Sequence, residues 1–198
     1  GGCELQAQVH QAGQHGELVG RREAAFVENA EDPLGPVQNI RLGQSQNLGT
    51  IAGVSLDIWQ LTGFDYLPIA DRTNWLLDLG YFSDRGFSAG SRFNYFGREL
   101  FSPDDKYFGR MLGWYLNDNG FDQLGPTRRG IVPSTSNRGR YLFQNRYDLR
   151  EDTTVITEFS YLSDSNVLES FFEAEYDNGK DQETLVYGKF ARENYAFT

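Results

Sequence analysis

Two runs near the C-terminal end set the pattern for the whole chain. From Tyr141 to Leu149, Tyr141, Phe143, Tyr147 and Leu149 alternate with Gln144, Arg146 and Asp148. From Thr154 to Tyr161, Val155, Thr157, Phe159 and Tyr161 alternate with Thr154, Glu158 and Ser160. A period of two is the pattern of a strand, whose successive side chains point to opposite faces. The segment 150–153 between the runs is short enough for a hairpin turn. One face is therefore apolar and aromatic, and the other carries charge in mid-strand.

The same alternation recurs upstream. Thr73 to Ser83 predicts a strand with Trp75, Leu77, Leu79 and Tyr81 on one face and Leu76, Asp78, Gly80 and Phe82 on the other. A turn at 83–86 leads to a predicted strand, Phe87 to Gly97, that sets Phe93 and Tyr95 against Arg92 and Asn94. Tyr107 to Asn117 predicts another, with Leu112, Trp114 and Leu116 on one face. It runs into Asp118-Asn119-Gly120, a strong turn signal. From Asn47 to Leu61 the alternation is weaker, with Ile51, Val54, Leu56, Ile58 and Trp59 as its apolar positions. Val167 to Tyr176 fits either a weak strand or a short helix. In the run from Thr184 to Tyr195, Lys189 falls on the face of Leu185 and Tyr187, which predicts a bulge. The fold class is all-β: an antiparallel up-and-down meander of about seven or eight strands.

Two architectures satisfy this pattern. In a soluble sandwich or a small lipocalin-like barrel, the apolar face is the core or a ligand pocket. In an outer-membrane barrel it meets lipid, and the charged face lines a watery lumen. In the barrel case Asp78, Arg92, Arg146 and Glu158 would line the lumen. Trp75, Leu77, Leu79, Tyr81, Phe93, Tyr95, Trp114, Phe143, Phe159 and Tyr161 would face lipid. Periodicity alone does not separate the two.

Composition narrows the picture a little. Mean hydropathy is −0.55, and no apolar run reaches the length of a transmembrane helix. Alternating barrel strands average to polar values, so a barrel stays open. Aromatics are 15% of residues, which suits strands and interfacial girdles. The net charge of −10 disfavours a nucleic-acid partner, whose phosphates need a basic surface. The loop from Phe121 to Arg138 is long for a compact soluble domain.

Some of the wording is more specific than the periodicity. Tyr161, Ser163, Asp164, Asn166, Leu168 and Glu169 spell Y-x-S-D-x-N-x-L-E. Asp181 to Thr184 and then Glu193 to Phe197 follow in order. Upstream, Tyr81, Ser83, Arg85, Gly86 and Gly90 spell Y-x-S-x-R-G-x-x-x-G. This series resembles the barrel domain of the LPS-assembly protein family (LptD, organic solvent tolerance protein) over about residues 47–198. The resemblance implies an open segment of a large outer-membrane barrel that translocates and inserts lipopolysaccharide or a related glycolipid. It further implies outer-membrane lipid around the barrel, a plug lipoprotein inside it and periplasmic bridge proteins feeding it. It also implies that prolines in the first strands weaken a lateral seam, a role that would fall to Pro68. A generic outer-membrane channel and a soluble lipid- or carbohydrate-binding module are the alternatives.

Residues 1–46 then read as a linker or the tail of a preceding periplasmic domain, and 47–198 as the partial barrel. With no initiator methionine and no signal peptide, the chain reads as a fragment. Cys3 is the single cysteine and forms no disulfide within the chain.

The search for chemistry returns little. No P-loop, G-x-S-x-G or H-E-x-x-H motif is present. His10 and His15 are spaced wrongly for a helical metal pair and read as solvent-exposed. Asp177 to Asp181 lacks the full spacing of a calcium loop. Glu173 and Glu175 read as solvated. The chain is expected to be a transporter segment with no catalytic residue, cofactor or metal.

Overall fold

The computed structural model describes residues 26–27, 35–149, 152–179, 183–192 and 195–197. Among them the main strands are β1 (Phe26–Val27), β2 (Val37–Ser45), β3 (Gly49–Asp57), β4 (Thr73–Phe82), β5 (Gly86–Arg98) and β6 (Lys106–Asn117). A small ribbon of β7 (Asp122–Gln123) and β8 (Arg129–Ile131) follows, then β9 (Asn137–Leu149), β10 (Thr153–Leu162), β11 (Leu185–Arg192) and β12 (Tyr195–Phe197). The order β1-β2-β3-β4-β5-β6-β9-β10-β11-β12 makes one antiparallel meander, with the ribbon set aside between β6 and β9. Eight of these strands have eight or more residues, and short β1 and β12 flank them. The sheet is open: β1 and β12 lie at its two edges and do not pair with each other.

The expected hairpin forms, with Phe159 opposite Phe143 and Tyr161 opposite Tyr141. The expected boundary after residue 46 falls inside a hairpin instead, because β2 pairs with β3 along its length. The strand expected to run through Trp59 ends at Asp57. There the Asp57 side chain accepts from the Gln60 amide and caps a short helix, α1 (Ile58–Thr62). Gly63, at a φ of 71°, closes that helix in the left-handed conformation. Pro68 lies beyond it in the β3–β4 connection, which a single 3-10 turn (Ala70–Arg72) ends. It therefore interrupts no ladder of the sheet.

The bulge expected around Lys189 is absent from the β10–β11 pairing, whose register stays in step from Thr153↔Phe190 to Glu158↔Leu185. Lys189 simply belongs to the charged face. The β4–β5 and β9–β10 hairpins close at opposite ends of the sheet, since β5, β6 and β9 run between them. Each end thus mixes short and long connections, and neither end carries short turns alone.

The register assigns every side chain to a face. Trp75 pairs with Phe93, Phe93 with Met111, Met111 with Phe143, and Phe143 with Phe159. The same face carries Ile40, Leu42, Val54 and Leu56 on β2 and β3, and Val186 and Phe190 on β11. Among the described side chains of β2–β11, none on this face is Asp, Glu, Lys or Arg. Much of it is open, with Leu42 61% and Tyr161 58% exposed.

The opposite face carries Arg41, Asp78, Arg92, Arg110, Arg138, Arg140, Arg146, Asp148 and Glu158. After β10 the chain forms α2 (Val167–Phe171) and α3 (Glu173–Asp177), and this segment folds back onto the charged face. The buried apolar residues are Leu116 and Leu142 on this face of the sheet, Val167 and Leu168 of the returning segment, and Leu124 of the ribbon turn. The small core therefore lies under this strap, on the charged side.

Candidate functional site: the charged face and its strap

Three polar groups form along the open part of this face. Asp78 accepts from Arg92 Nε at 2.6 Å and Nη2 at 2.8 Å. It also accepts from Ser55 Oγ at 2.5 Å, with Arg41 3.9 Å away. Register explains this grouping, because Ser55 is directly opposite Asp78, and Asp78 opposite Gly90, next to Arg92. Farther along, Arg110 donates to Gln144 at 2.6 Å, and Gln144 donates to Glu158 at 2.5 Å. Arg146 pairs with Asp148, which also accepts from Thr154 at 2.8 Å. The four expected lumen residues thus share one face. Asp78 and Arg92 touch each other, while Glu158 and Arg146 belong to separate groups.

Nine of the ten residues expected to face lipid share the uncharged face. Trp114 does not. It lies opposite Gly90 and Arg140, on the side of Asp78. Its ring packs against Phe171 at 5.0 Å and edge-on against Phe172 at 5.2 Å. The strand pattern placed it with Leu112 and Leu116, and the strap makes that group a buried contact.

The strap is fastened by a buried charge cluster. Arg85, in the β4–β5 turn, donates to both Asp118 oxygens at 2.8 and 2.6 Å, to Asp122 at 2.7 Å and to the Phe121 carbonyl at 2.9 Å. Arg138, on β9, donates to Asp122 at 2.5 Å and Asp118 at 3.1 Å. Its other edge meets both oxygens of Asp164, at 3.0 and 2.8 Å. Asn166 and Ser170, from the strap, also donate to Asp122. The Phe171 ring lies beneath both guanidinium groups, 4.7 and 5.1 Å from their carbons. All of Arg85, Arg138, Asp118 and Asp122 are buried.

Burial pushes the Asp118 carboxyl up, but Arg85, the Gly120 amide and Arg138 outweigh it and hold it below the usual carboxylate value. Burial pushes Asp122 up in the same way, and Arg138, Arg85 and Ser170 again bring it below that value. Both aspartates are therefore ionised at neutral pH. Every side-chain nitrogen of Arg85 and Arg138 is engaged, an arrangement that suits holding loops together.

Two sequence expectations change here. Glu175, read as solvated, forms a two-pronged ion pair with buried Arg140. Asp118, read as part of a turn signal, is a central member of the cluster. The two distinctive segments quoted above also meet at this place: Arg85 of one and Asn166 of the other both reach Asp122. Tertiary proximity was needed to see this, although Arg85 stood within a predicted turn. Among the described residues no three His, Cys, Asp or Glu side chains are grouped to hold a metal ion. Lys180 and Asp181 of the loop at 177–181 lie outside the described residues, as do Cys3, His10 and His15.

No protein-family model matches this sequence, and no curated protein matches it either. The functional reading therefore rests on geometry, chemistry and the resemblance in wording.

Proposed function

We propose that this chain is a segment of an outer-membrane β-barrel of the LPS-assembly type, which passes lipopolysaccharide or a related glycolipid to the outer leaflet. The observation that carries the reading is the contrast between the two faces of one open sheet. Across β2–β11 one carries no charge among the described side chains and is in large part exposed; the other carries the charges.

The uncharged face also has aromatic borders. Tyr81, Phe87, Tyr115, Tyr141 and Tyr161 form one row, and Trp75, Tyr95, Tyr107 and Tyr147 the other. The rows run obliquely: Tyr115 lies opposite Ala89, two positions past Phe87, and Tyr141 opposite Gly113, two positions before Tyr115. A line parallel to a membrane crosses tilted barrel strands in this oblique manner. Tyr107 and Tyr115 are about 26 Å apart along β6 at ~3.3 Å per residue. A tilt of ~40° brings that to about 20 Å, close to the apolar band of an outer-membrane barrel.

In this reading the charged face offers a hydrated path for a sugar headgroup, and a lateral opening releases the acyl chains. The protein supplies position and polarity with no covalent step. A periplasmic bridge delivers the lipid, and a plug lipoprotein occupies the rest of the lumen.

The test is accessibility in the membrane. In a Cys3→Ser background, Leu79→Cys and Phe159→Cys should resist a membrane-impermeant maleimide in outer-membrane preparations, and should react after detergent extraction with denaturation. Arg92→Cys should react when the lumen is opened to solvent by mild detergent. Equally fast labelling of Leu79→Cys and Phe159→Cys before and after extraction would sink the proposal, and protection of both in a chain that stays out of the membrane fraction would sink it in favour of a soluble binding module.

A further inference from the structure

Arg138 and Arg140 of β9, and half-exposed Arg128 of the β7–β8 turn, each meet one carboxylate of the strap. Asp164 spans Nε and Nη2 of Arg138. Glu175 spans both terminal nitrogens of Arg140. Glu169 places both oxygens on Arg128 at 3.1 and 3.2 Å. All three acids come from the single stretch between Asp164 and Glu175, so a movement of one segment would uncover all three guanidinium forks. Arg85, Asp118 and Asp122 belong to other connections, so their pairing stays when the strap leaves.

The fit at Arg140 is incomplete. The residue is 3% exposed, its guanidinium lies 4.7 Å over the Phe172 ring, and its Nε has no hydrogen-bond partner among the described residues. A carboxylate presents two oxygens and satisfies two of its donors; a phosphate presents three in a tetrahedral array. Guanidinium forks recognise both groups by the same two-pronged geometry. Arg138 and Arg140 are two residues apart on one face of a strand, so their forks are spaced by about 7 Å. Two phosphate groups on one small molecule or one headgroup can bridge that distance.

We propose that Arg128, Arg138 and Arg140 form a binding site for phosphate groups, and that the strap carboxylates occupy it as internal substitutes. The site is masked when the strap is down and exposed when it lifts. This inference does not depend on the membrane reading, because a charged face turned to bulk water would serve as well as a lumen.

The experiment is a titration of the full chain in detergent with sodium pyrophosphate and, separately, with phosphatidic acid in detergent micelles. Glu169→Gln with Glu175→Gln should tighten binding of at least one probe about tenfold or more. Adding Arg140→Gln to that pair should return binding to the wild-type level. Tightening for pyrophosphate assigns the site to free phosphate groups; tightening for phosphatidic acid alone assigns it to a lipid headgroup. Either outcome keeps the proposal. A folded Glu169→Gln/Glu175→Gln protein that binds neither probe more tightly overturns it, as does a gain that survives Arg140→Gln. Should the double variant misfold, chymotryptic cleavage between Phe171 and Phe172 in the wild type replaces it. Cleavage should accelerate as either probe is added, and a rate unchanged across the titrated range refutes the masking. Maleimide accessibility of Leu79→Cys is unaffected by either result, so the two proposals fail separately.

Discussion

Two arginine–aspartate arrangements, one on the open charged face of the sheet and one in the connections at its end where Arg138 alone belongs to the main sheet, differ most in burial. At Asp78 and Arg92 the side chains are 14% and 45% exposed. At the cluster, Arg85 and Asp118 are 1% and 0% exposed, and Arg138 and Asp122 both 0%. The difference comes from what lies above them. The strap puts Phe171 and its neighbours over the cluster, whereas Arg92 remains open to solvent. An exposed pair gains little because water screens it and the long side chains lose entropy. A buried set depends on complete pairing, since any charge left alone has no water to return to.

The sharpest way to break this contrast is Arg138→Leu. It leaves Asp118 and Asp122 with Arg85 as their remaining guanidinium and removes the one that meets Asp164, and should destabilise by about 3–5 kcal/mol in denaturant unfolding. Replacing Arg85, Arg138, Asp118 and Asp122 together by apolar residues of similar volume should cost less than Arg138→Leu. An additive cost would mean that attraction between charges, and not the penalty of a stranded charge, dominates.

The next effect contrasts the two faces of the sheet. Leu79→Arg on the uncharged face should cost about 2–4 kcal/mol in a bilayer. Asn94→Arg on the charged face should change stability by no more than ~0.5 kcal/mol. Equal, small effects in refolding titrations into lipid vesicles would remove the membrane reading.

Acidity tests the buried cluster directly. The carboxyls of Asp118 and Asp122 titrate below their ordinary value of 3.8. A lowered folded-state value means that their contribution is complete above 3.8 and is lost as pH falls through the lowered values. Trp114 fluorescence, read with Trp59→Phe and Trp75→Phe, should therefore hold steady from neutral pH to about that point and change below it. A change that is complete well above 3.8 would show that other groups fasten the strap.

The smallest effect belongs to the open pair. Arg92→Gln should cost ~0–1 kcal/mol, and added salt should shrink the difference. A larger loss would mean that Asp78 is less hydrated than its exposure indicates.

The alternation of Trp75, Leu77, Leu79 and Tyr81 with Leu76, Asp78, Gly80 and Phe82 was enough to set the class of fold, the principal hairpins and the two faces. These features are local, because a strand repeats every two residues and a tight turn sets the register of its neighbours. The same logic put Asp78, Arg92, Arg146 and Glu158 together on one face. It failed where a non-local contact competed with the pattern. Trp114 obeys strand periodicity yet faces Phe171 and Phe172, residues far along the chain. Asp57 ends a strand-like run because its carboxylate finds the Gln60 amide. Glu175 reads as solvated until the strap brings it to Arg140.

What the sequence by itself determined is an antiparallel meander with one uncharged and one charged face, because that information repeats at short range. Only the tertiary structure decided which charges are buried, since it alone folds the segment after Leu162 back over the sheet and excludes water from Arg85, Arg138 and Arg140.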